Sequence, residues 1–200
     1  MRIYARRFGS GGPAVVLLHG FHSTGERDWV DTGIVAALTA LGRTVVVPDL
    51  PGHGSTPAFP ARADVVARAV LELVEGPFGL AGYSLGARLA WEVVAQDPAR
   101  VGNVVLGGLA PFEPLAGLDP AMFGPGLEEV VRGLQETPFT PDGWAGHSPP
   151  VFVAGEDDEM VRGIDGVAGS IEGAELVRVP GGHAEALAGP GFRETIVRVM

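Results

Sequence analysis

The sequence predicts an α/β fold: a mostly parallel, twisted sheet covered by helices on both faces. Three observations predict it. Apolar, β-branched runs of strand length recur along the chain, and stretches with helical spacing separate most of them. A polar or nucleophilic residue follows nearly every run, at the strand ends where open parallel sheets gather their ligands.

The elements follow in order. "RIYARRF" with "GSGG" behind it suits an antiparallel edge strand and its turn. "AVVLL" (14–18) and "TVVVP" (44–48) read as buried strands, with helical spacing over 31–41 between them. A helix is expected over 61–75, then a strand at 79–83, a helix over 85–97 and a strand at 101–107. "VFVAG" (151–155) and "ELVRVP" (175–180) are the last strands, with helices over 158–170 and 184–199. Residues 109–149 break this rhythm. They are rich in Pro and Gly and hold one good helix, on which Phe123, Leu127, Val130, Val131 and Leu134 share an apolar face. They are expected to form a short cap or lid inserted in one domain spanning 1–200, with a site left open above the sheet.

Composition narrows the chemistry. Hydrophobic residues make up 46% of the 200 and charged residues 19%, a globular balance. There is no cysteine, hence no disulfide, Cys-based zinc site or Cys nucleophile. All 14 basic residues are arginine, which excludes a Walker-type lysine and a Schiff-base lysine. The net charge of −10 and the scattered arginines argue against nucleic acid or an anionic membrane as partner. The N-terminal stretch lacks a secretory apolar region and no run is long enough to cross a bilayer, so a cytoplasmic protein is expected. No G-x-G-x-x-G follows the first parallel strand and "HGFH" is not a helical zinc motif, so no cofactor or metal is expected. The oligomeric state is left open.

Residues 82–86, "GYSLG", lie at a strand-to-helix junction. With 31 Gly and 6 Ser, composition alone gives a G-x-S-x-G match in roughly one such chain in seven, so context must carry the argument. A sharp bend there would expose the Ser84 hydroxyl near the positive end of the next helix, with small residues on both sides to avoid a clash. A serine needs a base, and the base needs an orienting group. His183, in "PGGHAEAL" after the last strand, is the best base; Asp157 and Asp158, after "VFVAG", both qualify as the acid.

"LLHGF", "VVVPDLPGHG", "GYSLGARLA", "VFVAGEDDEMV" and "VPGGHAEAL" together resemble the α/β-hydrolase superfamily along nearly the whole chain. The resemblance implies an α/β-hydrolase fold and the order Ser, Asp, His, with Asp158 as the acid of a G-x-x-D ending and Asp157 as the fallback. It also implies oxyanion-hole amides from Phe21 and Leu85. The expected reaction is cleavage of a small carboxylic ester or lactone with a hydrophobic portion, through an acyl-enzyme on Ser84.

His22, Arg88, Met122 and Phe123 are the expected substrate contacts, each with a bland alternative. His22 follows Phe21 and could equally face solvent. Arg88 lies one helical turn after Ser84 and would either bind a carboxylate or close a salt bridge on the helix flank. Met122 and Phe123 could line the substrate or merely cover the core. His19 and His53 are expected to support turns. Two other functions stay open: "GYSLGARLAW" is similar to the elbow of menaquinone-pathway lyases that eliminate pyruvate, and a non-hydrolytic receptor could use the same fold.

Overall fold

A computed structural model describes residues 2–200. Its strands are β1 (Ala5–Phe8), β2 (Ala14–Leu18), β3 (Thr44–Pro48), β4 (Phe78–Tyr83), β5 (Val101–Gly107), β6 (Val151–Gly155) and β7 (Glu175–Val179). They form one sheet in the order β1-β3-β2-β4-β5-β6-β7. Among the described residues only the β1–β3 pairing is antiparallel, as an edge strand after the N-terminus suggests; the other pairings are parallel.

Side chains alternate across each strand, so both sheet faces must be covered. On β2, Val16 and Leu18 join one core with Leu80, Leu106 and Phe152, while Val15 and Leu17 join the other with Val45, Ala81 and Val153. Helices α2 (Ala63–Leu71), α3 (Leu85–Gln96) and α5 (Ile164–Gly169) supply the first core; α1 (Ile34–Ala40) and α7 (Pro190–Val199) supply the second. Phe192 and Ile196 of α7 are fully buried, worth about 1.5–3 kcal/mol each.

Several expected helices are shorter or divided, each for a local reason. The 31–41 stretch begins as a helix only at Ile34, after Gly33 at φ 76°, and a π-helical turn (Glu26–Val30) precedes it. The expected helix over 158–170 is a 3₁₀ turn (Glu159–Val161) followed by α5, with Gly163 at φ 93° between them. That over 184–199 is α6 (His183–Ala188) and α7, divided at Gly189 because Pro190 cannot continue a helix but suits the first turn of a new one.

Between β5 and β6 lie a 3₁₀ turn (Pro120–Phe123) and α4 (Leu127–Gln135). Phe123 is not on the α4 face expected for it, because Gly124 and Gly126, both at positive φ, separate the two elements. Val130, Val131 and Leu134 do form the buried face of α4. Helix α4 rests on the loop after β3: a Cβ on Gly133 would stand 2.1 Å from the Ala61 nitrogen, and one on Gly52 would stand 2.8 Å from Val130. Among the described residues, no helix is long and apolar enough to cross a membrane.

Candidate active site

Ser84 joins β4 to α3 at φ 54° and ψ −115°, a backbone region that side chains rarely occupy. The turn is closed by flanking glycines. A Cβ on Gly82 would meet the Gly86 carbonyl at 2.2 Å, and one on Gly86 would meet the Leu18 carbonyl at 1.9 Å. The Ser84 N–H donates to the Gly107 carbonyl (2.8 Å), tying the bend to the end of β5. Its own carbonyl accepts from the amides of Ala87 and Arg88, so α3 starts at the serine.

His183 opens α6, just beyond β7, and its Nδ1 donates to Asp158 Oδ2 at 2.6 Å. Asp158 follows β6; its side chain is 1% exposed, and its other oxygen accepts from the Met160 amide. Asp157 is exposed. The Tyr83 hydroxyl, raised in pKa by burial and by Asp158, donates to the His183 carbonyl (2.5 Å) and so fixes the start of α6 from below. Gly108 gives the imidazole room: a Cβ there would stand 2.9 Å from His183 Cε1.

The loop after β2 is held by four buried or partly buried side chains. His19 Nδ1 donates to the Gly20 carbonyl (2.7 Å) while its Nε2 accepts from the Leu50 amide (2.9 Å). Asp28 accepts from the Gly20 amide (2.8 Å) and from the Ser23 hydroxyl. His53 Nδ1 donates to the Pro51 carbonyl, and its Nε2 accepts from the amide of His22, itself at φ 57°. Burial holds both imidazoles neutral, lowering His19 and pushing His53 down to about 4. Among the described residues, neither the Phe21 amide nor the Leu85 amide donates to a protein atom. The loop stands close to the serine, since a Cβ on Gly20 would be 3.6 Å from Ser84 Cβ.

Two openings meet at Ser84 and Phe21. One is an apolar cavity of about 200 Å³, walled by Leu85, Leu109, Phe112, Leu115, Phe123 and Phe139 among others. The other is a more polar cleft of about 480 Å³, walled by His22, Ser23, Arg27, Asp28, Tyr83 and His183 with their neighbours. Ser84 and His183 share that cleft.

The four expected substrate contacts fare differently. Phe123 lines the apolar cavity, edge-on to Phe21 (5.5 Å between ring centroids). His22 lines the polar cleft. Met122 does not fit its expected place: it is 76% exposed and lines neither opening, because the 3₁₀ turn points it outward. Arg88 touches the apolar cavity, but its guanidinium is already occupied. It pairs with Glu113 (2.9 Å) and donates to the carbonyls of Leu134 and Thr137. The alternative of a protein salt bridge is the observed one.

Sequence reasoning missed Asp28 and Glu113. Asp28 lies eight residues from the amide it binds and carries no local signal. Glu113 had one, being the only charge in the apolar stretch 109–118.

A serine on a strand-to-helix elbow and a carboxylate-bound imidazole, both at the carboxyl edge of a mostly parallel sheet, define an α/β-hydrolase class of protein. The chain belongs to the alpha/beta hydrolase family, whose model matches residues 15–137. It is 40% identical over 96 residues to a pimeloyl-[acyl-carrier protein] methyl ester esterase of Methylococcus capsulatus, a match covering 48% of this chain and 36% of that one. It is 38% identical over 104 residues to a 2-succinyl-6-hydroxy-2,4-cyclohexadiene-1-carboxylate synthase of Salmonella agona, covering 49% and 39%. The chain thus spans well under half the length of these curated relatives. A solved hydrolase from Pseudomonas aeruginosa PA01 superposes with a TM-score of 0.80 at 21% identity, over 98% of this chain and 92% of that one.

Proposed function

We propose that this protein hydrolyses small carboxylic esters or lactones with an apolar acyl part, through an acyl-enzyme on Ser84. The observation that carries the reading is the 2.6 Å bond from His183 to Asp158 at the cleft that Ser84 lines. In the reading, His183 Nε2 removes the Ser84 proton as the hydroxyl attacks the carbonyl carbon. The oxyanion is received by the Phe21 and Leu85 amides, which have no protein acceptor to surrender. His183 returns the proton to the departing alcohol. Water, deprotonated by His183, then attacks the acyl carbon, and His183 returns that proton to the departing Ser84 oxygen as the acid is freed. Asp158 holds the imidazole tautomer and stabilises its charged form.

Proton delivery orients the substrate. The leaving oxygen must lie on the His183 side, and His183 lines only the polar cleft. The acyl chain therefore occupies the apolar cavity, whose roughly 200 Å³ suits a short to medium chain. Residues 109–149 act as a thin lid of the single 1–200 domain, supplying Phe112, Leu115, Phe123 and Phe139 to that cavity.

A panel of 4-nitrophenyl esters of rising acyl length tests this. Turnover is expected to peak at a medium chain, and Ser84→Ala should lower it by about three orders of magnitude or more. Undiminished turnover in Ser84→Ala would remove the proposal. In the pyruvate-eliminating alternative Arg88, one helical turn after the serine, would bind a substrate carboxylate; Glu113 already engages it, which favours the hydrolase.

A further inference from the structure

We propose that the leaving group of the substrate carries an anion, a carboxylate or a phosphate, which Arg27 receives. The inference rests on the acyl-enzyme reading and adds the chemistry of the second half of the substrate.

Charge is sorted across Ser84. The apolar cavity offers no free charge, because the one ion at its wall, Arg88, is neutralised by Glu113 at 2.9 Å. The cleft on the His183 side holds Arg27, whose side chain is exposed and makes no ion pair or hydrogen bond among the described residues. The molecule carries a net −10, and among the described residues seven of the 14 arginines are in ion pairs while Arg27 is one of the seven that are not.

The acids near Arg27 have other partners or stand apart. Glu26 pairs with Arg6, Asp28 is buried and accepts from Gly20 and Ser23, and Asp31 makes no ion pair with Arg27. The backbone around Arg27 is nonetheless fixed. It lies in the π-helical turn, and its amide donates to the Thr24 hydroxyl (3.2 Å). An unpaired guanidinium carried on this held backbone at the leaving-group wall is a receptor for an oxyanion. The other free arginines line no opening shared with Ser84.

An exposed cation contributes modestly and is screened by salt. The test therefore reads a ratio. Hexanoate esters of 4-nitrophenol and of 4-hydroxy-3-nitrobenzoate form one neutral/anionic pair. Hexanoyl thioesters of pantetheine and of 4′-phosphopantetheine form another. For each pair, kcat/KM of the anionic substrate over the neutral one is measured in wild type, Arg27→Gln, Arg27→Glu and the distant control Arg68→Gln.

The ratio is expected to fall about five- to tenfold in Arg27→Gln, further in Arg27→Glu, and not in Arg68→Gln. KM should carry the change, and high salt should erode the wild-type ratio alone. The pair that responds tells carboxylate from phosphate. If wild type hydrolyses the neutral substrates through Ser84 but neither ratio moves in the Arg27 variants, this inference falls and the hydrolase reading stands. If wild type hydrolyses none of the four, both fall.

Discussion

Arg88 and Glu113 form an ion pair at 2.9 Å with side-chain exposures of only 5% and 9%. It connects the first turn of α3, directly after Ser84, to the segment between β5 and β6. Arg88 also holds the carbonyls of Leu134 and Thr137, and Glu113 accepts from the amides of Leu115 and Phe139. One pair thus holds Leu115 and Phe139, two residues that wall the apolar cavity.

Removing one member of such a pair leaves a buried charge without its partner, at a cost of about 3–5 kcal/mol. Glu113→Gln is expected to destabilise by that order. Glu113→Ala should cost more, because two amides then lose their acceptor as well. Urea unfolding of the two variants checks this. Wild-type stability in Glu113→Gln would show that the pair does not organise the segment.

Ser84 sits at φ 54° and ψ −115°, which glycine adopts without strain. Ser84→Gly should therefore lose activity yet gain about 1 kcal/mol of stability. Ser84→Ala keeps the Cβ and should gain nothing. Thermal melts of the two inactive variants separate the outcomes, and equal melting temperatures would mean the elbow stores no strain.

The buried imidazole of His53 predicts an acid-side loss of stability. Its pKa falls from 6.5 to about 4 on folding, with burial the largest cause. Between those values the unfolded chain binds a proton that the folded chain does not. The contribution is therefore complete above pH 6.5 and is lost as pH falls to 4, about 3 kcal/mol in all. Below pH 4 this group adds no further slope. His19 is lowered by burial as well and acts in the same direction. Unfolding free energies from pH 7 to pH 4 should fall in wild type and fall less in His53→Asn. Parallel curves would place the acid sensitivity elsewhere.

What the sequence made legible followed from how local each signal is. Continuous apolar strands and the glycines around Ser84 announce a parallel sheet and an elbow, because strand burial and turn sterics act within a few residues. The edge strand β1 was legible for the same reason. Helix ends were not, since Gly163 at φ 93° and the Gly189–Pro190 break override helical spacing that looks continuous. Met122 and Phe123 are neighbours with one composition signal between them, yet one faces solvent and the other the cavity. Only the turn geometry distinguishes them. Arg88 was legible as a cation near the serine, but its partner lies 25 residues on and is chosen by tertiary packing.

Position along the chain also left two adjacent carboxylates eligible as the partner of His183, and geometry separates them sharply. Asp158 accepts the His183 Nδ1 proton at 2.6 Å from a side chain 1% exposed, whereas Asp157 is exposed and uses its amide to bind the Gly181 carbonyl. Asp158→Asn would present an amide where a carboxylate is needed, favouring the wrong imidazole tautomer. Esterase kcat is expected to fall by about 10³–10⁴ with KM little changed. Asp157→Asn keeps the backbone bond and should stay within about twofold, as surface substitutions usually do. Steady-state kinetics on one 4-nitrophenyl ester decide it: a large loss in Asp157→Asn with activity retained in Asp158→Asn would reverse the assignment.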